Sequence, residues 1–235
     1  MKKNLRKIGK LFLKTVLWFI AISFLSVIIF RFIPVPFTPL MIIRCTEQVT
    51  NGEKLKLKKD WVSIDEISPN LQLSVVCSED QNFINHSGFD FEAIQKALKH
   101  NEKSKRKRGA STISQQTAKN VFLWPGRSWI RKGFEVYFTA LIELLWNKER
   151  IMEVYLNVIE MGNGIYGAEA AAQNHFKKHA TKFSMREAAL IAAVLPNPRK
   201  WSPAKPNGYI IRRQNFIMQQ MINYGGKVVY EVDQK

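Results

Sequence analysis

Apolar residues divide the chain into one long uncharged run and several shorter runs with helical periodicity. Residues 15–30 carry no charge, and with residues 31–33 the run approaches the roughly 20 residues that a bilayer core requires. Further along, Phe134, Phe138 and Leu141 recur at the spacing of one helix face. The sequence shows no internal repeat and no set of long alternating strands. The pattern therefore predicts a mainly α chain with a single N-terminal transmembrane helix.

Capping residues place the helices that follow the apolar run. Ser68 precedes Pro69, Asp90 and Ser128 each precede a periodic run, and Ser184 with Glu187 forms a capping box. The predicted helices cover residues 69–77, 91–100, 129–146, 148–160, 168–175, 187–195 and 209–223. The tail at 227–230 is mildly strand-like.

The basic residues before the apolar run predict its orientation. Six of them precede it with no acid: Lys2, Lys3, Arg6, Lys7, Lys10 and Lys14. The positive-inside bias then places the N-terminus in the cytoplasm and the residues after Pro34 outside. Residues 31–36 are bulky and proline-rich, which favours an uncleaved anchor over a cleavable signal peptide. We predict a basic cytoplasmic tail (1–14), a transmembrane anchor (15–33), a juxtamembrane linker (34–59) and a globular domain (60–235).

The charge of the chain predicts an anionic partner. The net charge is +17, and outside residues 1–31 there remain 29 Lys and Arg against 19 Asp and Glu, a balance of +10. Phospholipid headgroups and a phosphate-bearing substrate both fit this charge, whereas the predicted topology excludes nucleic acid. Cys45 and Cys77 could pair in an oxidising compartment, but a small buried residue is the favoured interpretation of Cys77.

Four groups of polar residues follow one another in a fixed order. They read Glu-Asp-x-x-Phe-x-x-His-x-Gly at 79–88, Gly-x-Ser-Thr-Ile-x-Gln-Gln at 109–116, Arg-Lys-x-x-Glu at 131–135 and Lys-x-x-Ile-x-Glu-x-Tyr-Leu-Asn at 148–157. Each alone is a weak signal, but four in order are a strong one. A fifth, weaker group spans 213–221, where Gln214 takes the place of a second arginine.

In these motifs the chain resembles the peptidoglycan glycosyltransferase family, specifically its monofunctional biosynthetic transglycosylases with one N-terminal anchor. The resemblance implies a lysozyme-like helical fold. It also implies processive polymerisation of lipid II into β-1,4-linked glycan strands, with release of polyprenyl diphosphate. The expected location is the inner (cytoplasmic) membrane with the catalytic domain on the periplasmic side. The expected partners are lipid II, the growing glycan strand, the membrane and other cell-wall synthesis or division proteins.

The resemblance assigns catalysis to two glutamates. Glu79 is expected to be the general base that takes the proton from the acceptor 4-hydroxyl, with inversion at the donor sugar. Glu135 is expected to assist on the donor side, where it could be a ligand of a divalent cation (Mg²⁺ or Mn²⁺) at the donor diphosphate. No tightly bound cofactor is expected. The other interpretation of Glu135 is an ion pair with Lys132, on the helix face opposite Phe134 and Phe138.

The remaining predicted site residues bind substrate. Lys119 and Arg127 match positions that bind the donor diphosphate in the family, and Arg131 and Lys132 add positive charge, although solvated basic surface also explains all four. The sugar cleft is expected to be lined by Ser111, Thr112, Gln115 and Gln116, some of which could instead cap the helix that they open.

Four residues near the motifs are expected to have supporting roles. Asp80 orients the turn or a neighbouring cation, and His86 is structural. Tyr155 and Asn157 brace the core.

Two other functions remain open at this stage. The first is a lysozyme-like cell-wall hydrolase or lytic transglycosylase that uses Glu79 as an acid. The second is a non-catalytic wall-binding scaffold. A surplus of cations beside two glutamates favours the glycosyltransferase, because a diphosphate leaves readily once its developing negative charge is neutralised.

Overall fold

A computed structural model describes residues 2–104, 109–126 and 128–230, with the side chains of residues 2–5 left out. The chain divides into two compact units, Met1–Pro34 and Val35–Lys235. The described residues are predominantly helical, as the sequence predicts.

The first unit is one helix, α1 (Lys2–Phe32). Its segment Arg6–Phe32 is long and apolar enough to cross a membrane by length and composition, and no other helix in the described ranges meets that test. The helix begins well before the predicted anchor at residue 15, so the basic N-terminal residues continue it instead of forming an irregular tail.

The second unit contains nine further helices within the described residues. They are α2 (Pro39–Thr50), α3 (Pro69–Glu79), α4 (Phe91–Lys103), α5 (Ile113–Phe122), α6 (Trp129–Leu145), α7 (Lys148–Val158), α8 (Ala168–Phe176), α9 (Met185–Val194) and α10 (Gly208–Tyr224). Two short 3₁₀ helices cover Ile64–Glu66 and Ala180–Lys182. The predicted capping residues Ser68, Asp90, Ser128 and Ser184 each accept a hydrogen bond from the first turn of their helix.

The core of this unit consists of two packed helix groups. In the first, α3 lies against α9 and α10. Residues 71–77 of α3 are all buried, and alanines of α9 allow a close approach, so that Ser74 Oγ reaches the carbonyl oxygen of Ala188 at 3.1 Å. In the second group, α5 lies against α6 and α7, and the Phe122 ring stacks on Phe138 with a centroid distance of 4.5 Å.

A small sheet closes one side of the unit. Strand β1 (Lys58–Lys59) pairs in parallel with β3 (Ile165–Tyr166), and β2 (Glu160–Gly162) pairs antiparallel with β3. The turn between β2 and β3 contains Gly164, whose φ is +66°. This sheet is absent from the sequence-based prediction, which expected a helix as far as residue 160.

Two further local predictions need correction. The interval 34–59, predicted as a linker, contains α2 and β1 and belongs to the second compact unit, with Met41 fully buried. The tail at 227–230 forms no strand; instead the Tyr230 hydroxyl donates to Gln72 Oε1 at 2.7 Å. No strand among the described residues pairs with this tail, and the Gln72 side chain holds it at Tyr230 instead.

The two cysteines are both free. Burial raises the pKa of the Cys77 thiol to about 11, so this side chain stays a neutral thiol at ordinary pH.

We expect Gly164→Ala to destabilise the second unit strongly. A Cβ at this position meets the Lys56 carbonyl oxygen at 2.2 Å, which is backbone and cannot move aside without disrupting β1. Together with the positive φ, we expect a loss of at least about 2 kcal/mol in the free energy of unfolding. Gly52→Ala is the matched control, because Gly52 has a φ of +70° and open space around it. Chemical denaturation should give a loss of about 1 kcal/mol for the control; equal losses in both variants would contradict the steric explanation.

Candidate active site

Glu79 is the last residue of α3, and its carboxylate accepts hydrogen bonds from two sides. Ser78 Oγ lies 3.2 Å from Glu79 Oε1, and Gln116 Nε2 of α5 lies 3.0 Å from Glu79 Oε2. Arg213 Nη2 of α10 lies 3.7 Å from Oε1. The carboxylate is therefore held between α3, α5 and α10, and each of these three contacts comes from a hydrogen-bond donor group.

Asp80 is buried and attaches the turn after α3 to the start of α5. Its carboxylate accepts from the backbone N–H of Ile113 at 2.9 Å and from His86 Nε2 at 2.9 Å. His86 Nδ1 in turn accepts from the Gly88 N–H, so Nε2 carries the proton. Of the two predicted roles for Asp80, these contacts support orientation of the turn, and they give His86 a structural place.

The start of α5 separates the four predicted cleft residues into different environments. Thr112 and Gln115 form a capping box and are buried, and Thr112 Oγ1 also donates to the Gly88 carbonyl oxygen at 2.7 Å. These two residues cap the helix. Ser111 is exposed, and Gln116 contacts Glu79 directly. Only Ser111 and Gln116 present polar groups that are not committed to the helix start.

Glu135 lies in α6 with 3 % of its surface exposed, and two cations bind it. Arg131 Nη1 lies 2.6 Å from Oε2, and Lys132 Nζ lies 2.5 Å from Oε1. The prediction that Glu135 lies opposite the phenylalanine stripe is wrong: Glu135 and Phe138 are buried on the same side, while Phe134 is only half-buried. The helix turns its charged motif inward because Glu135 and its cations compensate one another there.

Lys119 of α5 connects the Glu79 and Glu135 parts of the site. Burial lowers the pKa of its ammonium group, and the positive charges of Arg131 and Lys132 lower it further. The negative charges of Glu135 and Glu79 act in the opposite direction. All four groups thus lie within electrostatic range of Lys119, so both glutamates share this one cation.

Two predictions cannot be located in this way. Arg127 lies outside the described residues. The divalent cation stays a prediction, and the contacts do not fit a protein-held metal at Glu135, since both of its oxygens are bound by cations. Across the described ranges no group of three or more His, Cys, Asp or Glu side chains could hold a metal ion.

A cavity of about 590 Å³ opens beside Glu79, and its lining does not include Glu135, Arg131 or Lys132. Its wall includes Ser111 and Thr112 from the start of α5, Asp90 from the start of α4, and Phe216 from α10. Its position next to the Glu79 carboxylate gives room for a bulky polar molecule at that end of the site.

Sequence reasoning missed several residues that support this geometry. Arg213 donates a hydrogen bond to Ser78 Oγ, and Ser78 Oγ donates to the Glu79 carboxylate, although Ser78 lies outside every motif. Glu143 of α6 accepts from Ser114 Oγ and, at 2.8 Å, from Lys148 Nζ, which also donates to the His86 carbonyl oxygen at 2.5 Å. The sequence did offer one signal for Glu143. It is an acid in a mainly apolar helix, five residues before the motif lysine Lys148.

The two predicted core braces have the contacts expected of them. Tyr155 is fully buried, and its hydroxyl lies 3.5 Å from Gln116 Oε1. Asn157 binds both the N–H and the carbonyl oxygen of Val62 through its amide, and so joins α7 to the chain before the first 3₁₀ helix.

Comparison with known proteins gives consistent matches over most of the chain. Residues 46–222 match the model of the family described as Transglycosylase. A biosynthetic peptidoglycan transglycosylase of Bacteroides thetaiotaomicron is 58 % identical over 217 residues, covering 92 % of this chain and 88 % of the relative. Proteins of the same name from Bdellovibrio bacteriovorus (52 % identity, 94 % and 88 % coverage) and Pseudomonas syringae pv. syringae (51 %, 94 % and 94 %) are also similar. The chain therefore belongs to the transglycosylase family.

Proposed function

We propose that this protein is a peptidoglycan glycosyltransferase that polymerises lipid II into β-1,4-linked glycan strands and releases polyprenyl diphosphate. Its similarity to proteins named biosynthetic peptidoglycan transglycosylases supports the activity. The observation that carries the chemical assignment is that one cation, Lys119, is within electrostatic range both of Glu79, whose carboxylate receives hydrogen bonds, and of Glu135, whose carboxylate binds two cations.

Glu79 is the general base in this proposal. Both of its oxygens act as hydrogen-bond acceptors in the structure, and as a carboxylate it can accept a proton from the acceptor 4-hydroxyl. The hydroxyl oxygen then attacks the anomeric carbon of the donor sugar, the bond from that carbon to the diphosphate oxygen breaks, and the proton stays on Glu79. The cavity beside Glu79 is the space that we assign to the acceptor.

The donor diphosphate is assigned to the cations around Glu135. Lys119, Arg131 and Lys132 outnumber the single carboxylate, so an excess of positive charge is available to a leaving group that becomes more negative as its bond breaks. Glu135 holds Arg131 and Lys132 in place for that purpose. A divalent cation would enter with the diphosphate, where it would add further neutralising charge.

The same contacts weigh against a hydrolase that uses Glu79 as an acid. Such an enzyme needs a protonated carboxyl beside the scissile glycosidic oxygen, commonly produced by an apolar pocket. Glu79 instead accepts hydrogen bonds from Gln116 and Ser78 on its two oxygens, with Arg213 beside it, and so lacks the apolar surroundings of such an acid.

The outward face of α6 supports action at a membrane surface. It carries Trp129 (92 % exposed), Ile130, Val136 and Leu144 (75 % exposed), together with the exposed Gly133 and Ala140, and it has no charged residue. An apolar helix face of this kind is stabilised by contact with the headgroup and acyl boundary of a bilayer. We propose that the protein is held in the cytoplasmic membrane by α1 and works on its periplasmic side, where the diphosphate of a lipid-linked donor lies at the same depth as the inward face of α6.

We expect Glu79→Gln to lower lipid II polymerisation by at least about 1000-fold, because the amide cannot take the acceptor proton. Donor binding should survive, since the cations on the donor side are unchanged. Gel analysis of glycan strands measures the first quantity, and titration with a non-reactive lipid II analogue measures the second.

Glu102→Gln, an exposed position in α4, is the matched control and should behave as wild type. Release of soluble fragments from finished peptidoglycan by the wild-type protein, without chain growth from lipid II, would contradict the proposed reaction. Full polymerisation by Glu79→Gln would remove the base assignment.

We expect kcat/KM for lipid II to fall on the alkaline side at a pH below the ordinary lysine pKa of 10.5. Burial lowers the pKa of Lys119, so its charge is lost at a lower pH than in an exposed lysine, and the uncharged amine holds a diphosphate poorly. Lys119→Arg stays protonated and should move this limb upward by at least about one pH unit. An unchanged limb in Lys119→Arg would show that another group is responsible.

We expect Trp129→Glu to reduce polymerisation in anionic lipid vesicles by about ten-fold or more, because a carboxylate in this face repels anionic headgroups and removes apolar contact. In detergent solution the same variant should stay within about two-fold of wild type. Val229→Glu, at another exposed apolar residue, is the control and should leave both activities unchanged. Equal losses in vesicles and detergent would argue against a membrane role for α6.

A further inference from the structure

A chain of hydrogen bonds leads to Glu79 from α10. Arg213 Nη2 donates to Ser78 Oγ at 3.1 Å, and Ser78 Oγ lies 3.2 Å from Glu79 Oε1. Because the hydroxyl oxygen accepts from the guanidinium, its proton points away from Arg213. It can then go to Glu79 or to the Ala192 carbonyl oxygen, which is farther away at 3.5 Å. The shorter distance favours Glu79, so Arg213 orients the Ser78 hydroxyl toward the carboxylate.

The other oxygen of Glu79 has a similar arrangement. Gln116 Nε2 donates to Oε2 at 3.0 Å, and Gln116 Oε1 faces the Tyr155 hydroxyl at 3.5 Å. Since a hydroxyl donates to the amide oxygen, this contact selects the orientation in which the amide N–H groups face Glu79. Each oxygen of Glu79 thus receives a donor that is itself oriented by a third residue.

The charged groups around Glu79 come from every neighbouring helix. Arg213 of α10 and Lys119 of α5 are positive. Asp80 is negative, but His86 and the Ile113 N–H bind its carboxylate. Tyr155 of α7 is neutral, because burial raises the pKa of its hydroxyl, and the nearby carboxylates raise it further. On the cavity side, α4 contributes Asp90, Glu92 and Lys96.

Arg213 is distinct among these groups. Its guanidinium lies 3.7 Å from Glu79 Oε1 and also reaches that oxygen through Ser78. It comes from α10, which packs against α3 and α9 and is remote from the cations around Glu135 in the chain. It is therefore placed to act on the carboxylate of Glu79 independently of the donor side.

We propose that Ser78 and Arg213 are positioning residues, which fix the orientation of the Glu79 carboxylate for proton transfer. This rests on the proposed role of Glu79 as base. Gln116 and Glu79 belong to the sequence motifs, whereas Ser78 lies outside them and Arg213 only opens the weak fifth motif. Neither residue needs to contact substrate for this role.

The test compares Ser78→Ala and Arg213→Gln with Arg212→Gln in the full-length protein. Arg212 is the matched control, because it neighbours Arg213 in α10, carries the same charge and is exposed. We expect kcat for lipid II polymerisation to fall roughly 10- to 100-fold in the first two variants, as for loss of a hydrogen bond to a charged group, with KM within about two-fold. Arg212→Gln should show none of these changes.

Further variants separate positioning from structural damage. Arg213→Lys keeps the charge and a donor for Ser78, so it should restore most of the lost kcat. Ser78→Ala removes a single oxygen, so it carries the test if Arg213→Gln does not fold, as judged by thermal unfolding. A raised KM with unchanged kcat in Arg213→Gln would mean that this residue binds substrate, and the positioning role would be rejected.

The outcomes also separate this inference from the proposed function. If Glu79→Gln is inactive but Ser78→Ala and Arg213→Gln match wild type in kcat, only the positioning role fails. If Glu79→Gln polymerises lipid II normally, the base assignment fails, and the positioning role fails with it.

Discussion

The buried carboxylate of Asp80 is the contact on which the rest of the site depends. It accepts the N–H of Ile113, one of the backbone groups that the first turn of α5 cannot satisfy internally, and the positive end of that helix stabilises its charge. Because Asp80 directly follows Glu79, this contact sets the position of α5 relative to the end of α3. Gln116 and Lys119 are three residues apart on α5, hence on one helix face, and both then lie toward Glu79.

The other end of the same turn attaches to α6, and this brings the second glutamate into the site. Gly88 has a φ of +87°, and a Cβ there would meet Thr139 Cγ2 at 2.8 Å, so only glycine allows this close approach. Thr139 lies one helical turn after Glu135 and donates to its carbonyl oxygen. Lys148 adds a further link, since it binds both the His86 carbonyl oxygen and Glu143. The turn at 80–88 therefore positions both helices that carry donor-side charge.

Local rules account for the part of the fold that the sequence predicts. Helix starts at Pro69, Phe91 and Trp129 follow from a capping side chain just before each, and that interaction lies within three residues of the chain. The helix α2 and the small sheet were not predicted, because they depend on distant partners: Gln48 holds the backbone of Lys56, and Gly164 approaches the same residue. Pairing of strands of two or three residues leaves almost no pattern in a sequence.

The candidate site divides in the same way. Ordered motifs contained Glu79 and Glu135, and the family resemblance that those motifs carry also indicated Lys119, which lies outside them. The motifs could not separate capping from substrate contact for Thr112 and Gln115, since the same residues serve either purpose at a helix start. Nor could they reveal that Arg213 reaches Ser78 and Glu79, because the contact between Arg213 and Ser78 joins positions 135 residues apart.

The helix α6 shows why its hydrophobic pattern misled the prediction. An ordinary surface helix turns apolar residues inward and charges outward, whereas α6 buries Arg131, Glu135 and Thr139 and exposes Trp129 and Leu144. Removing these charges from water is unfavourable even when they are paired, and leaving a tryptophan in water forgoes the gain from burying it. Such an arrangement weakens an isolated domain, so its explanation has to come from what the helix contacts in use. An anionic group on the inward face would complete the charge balance of two cations against one carboxylate, and an apolar phase on the outward face would cover the tryptophan. In the proposed function a lipid-linked diphosphate at a membrane surface would supply both at once, so that a single substrate would account for both unfavourable features of α6.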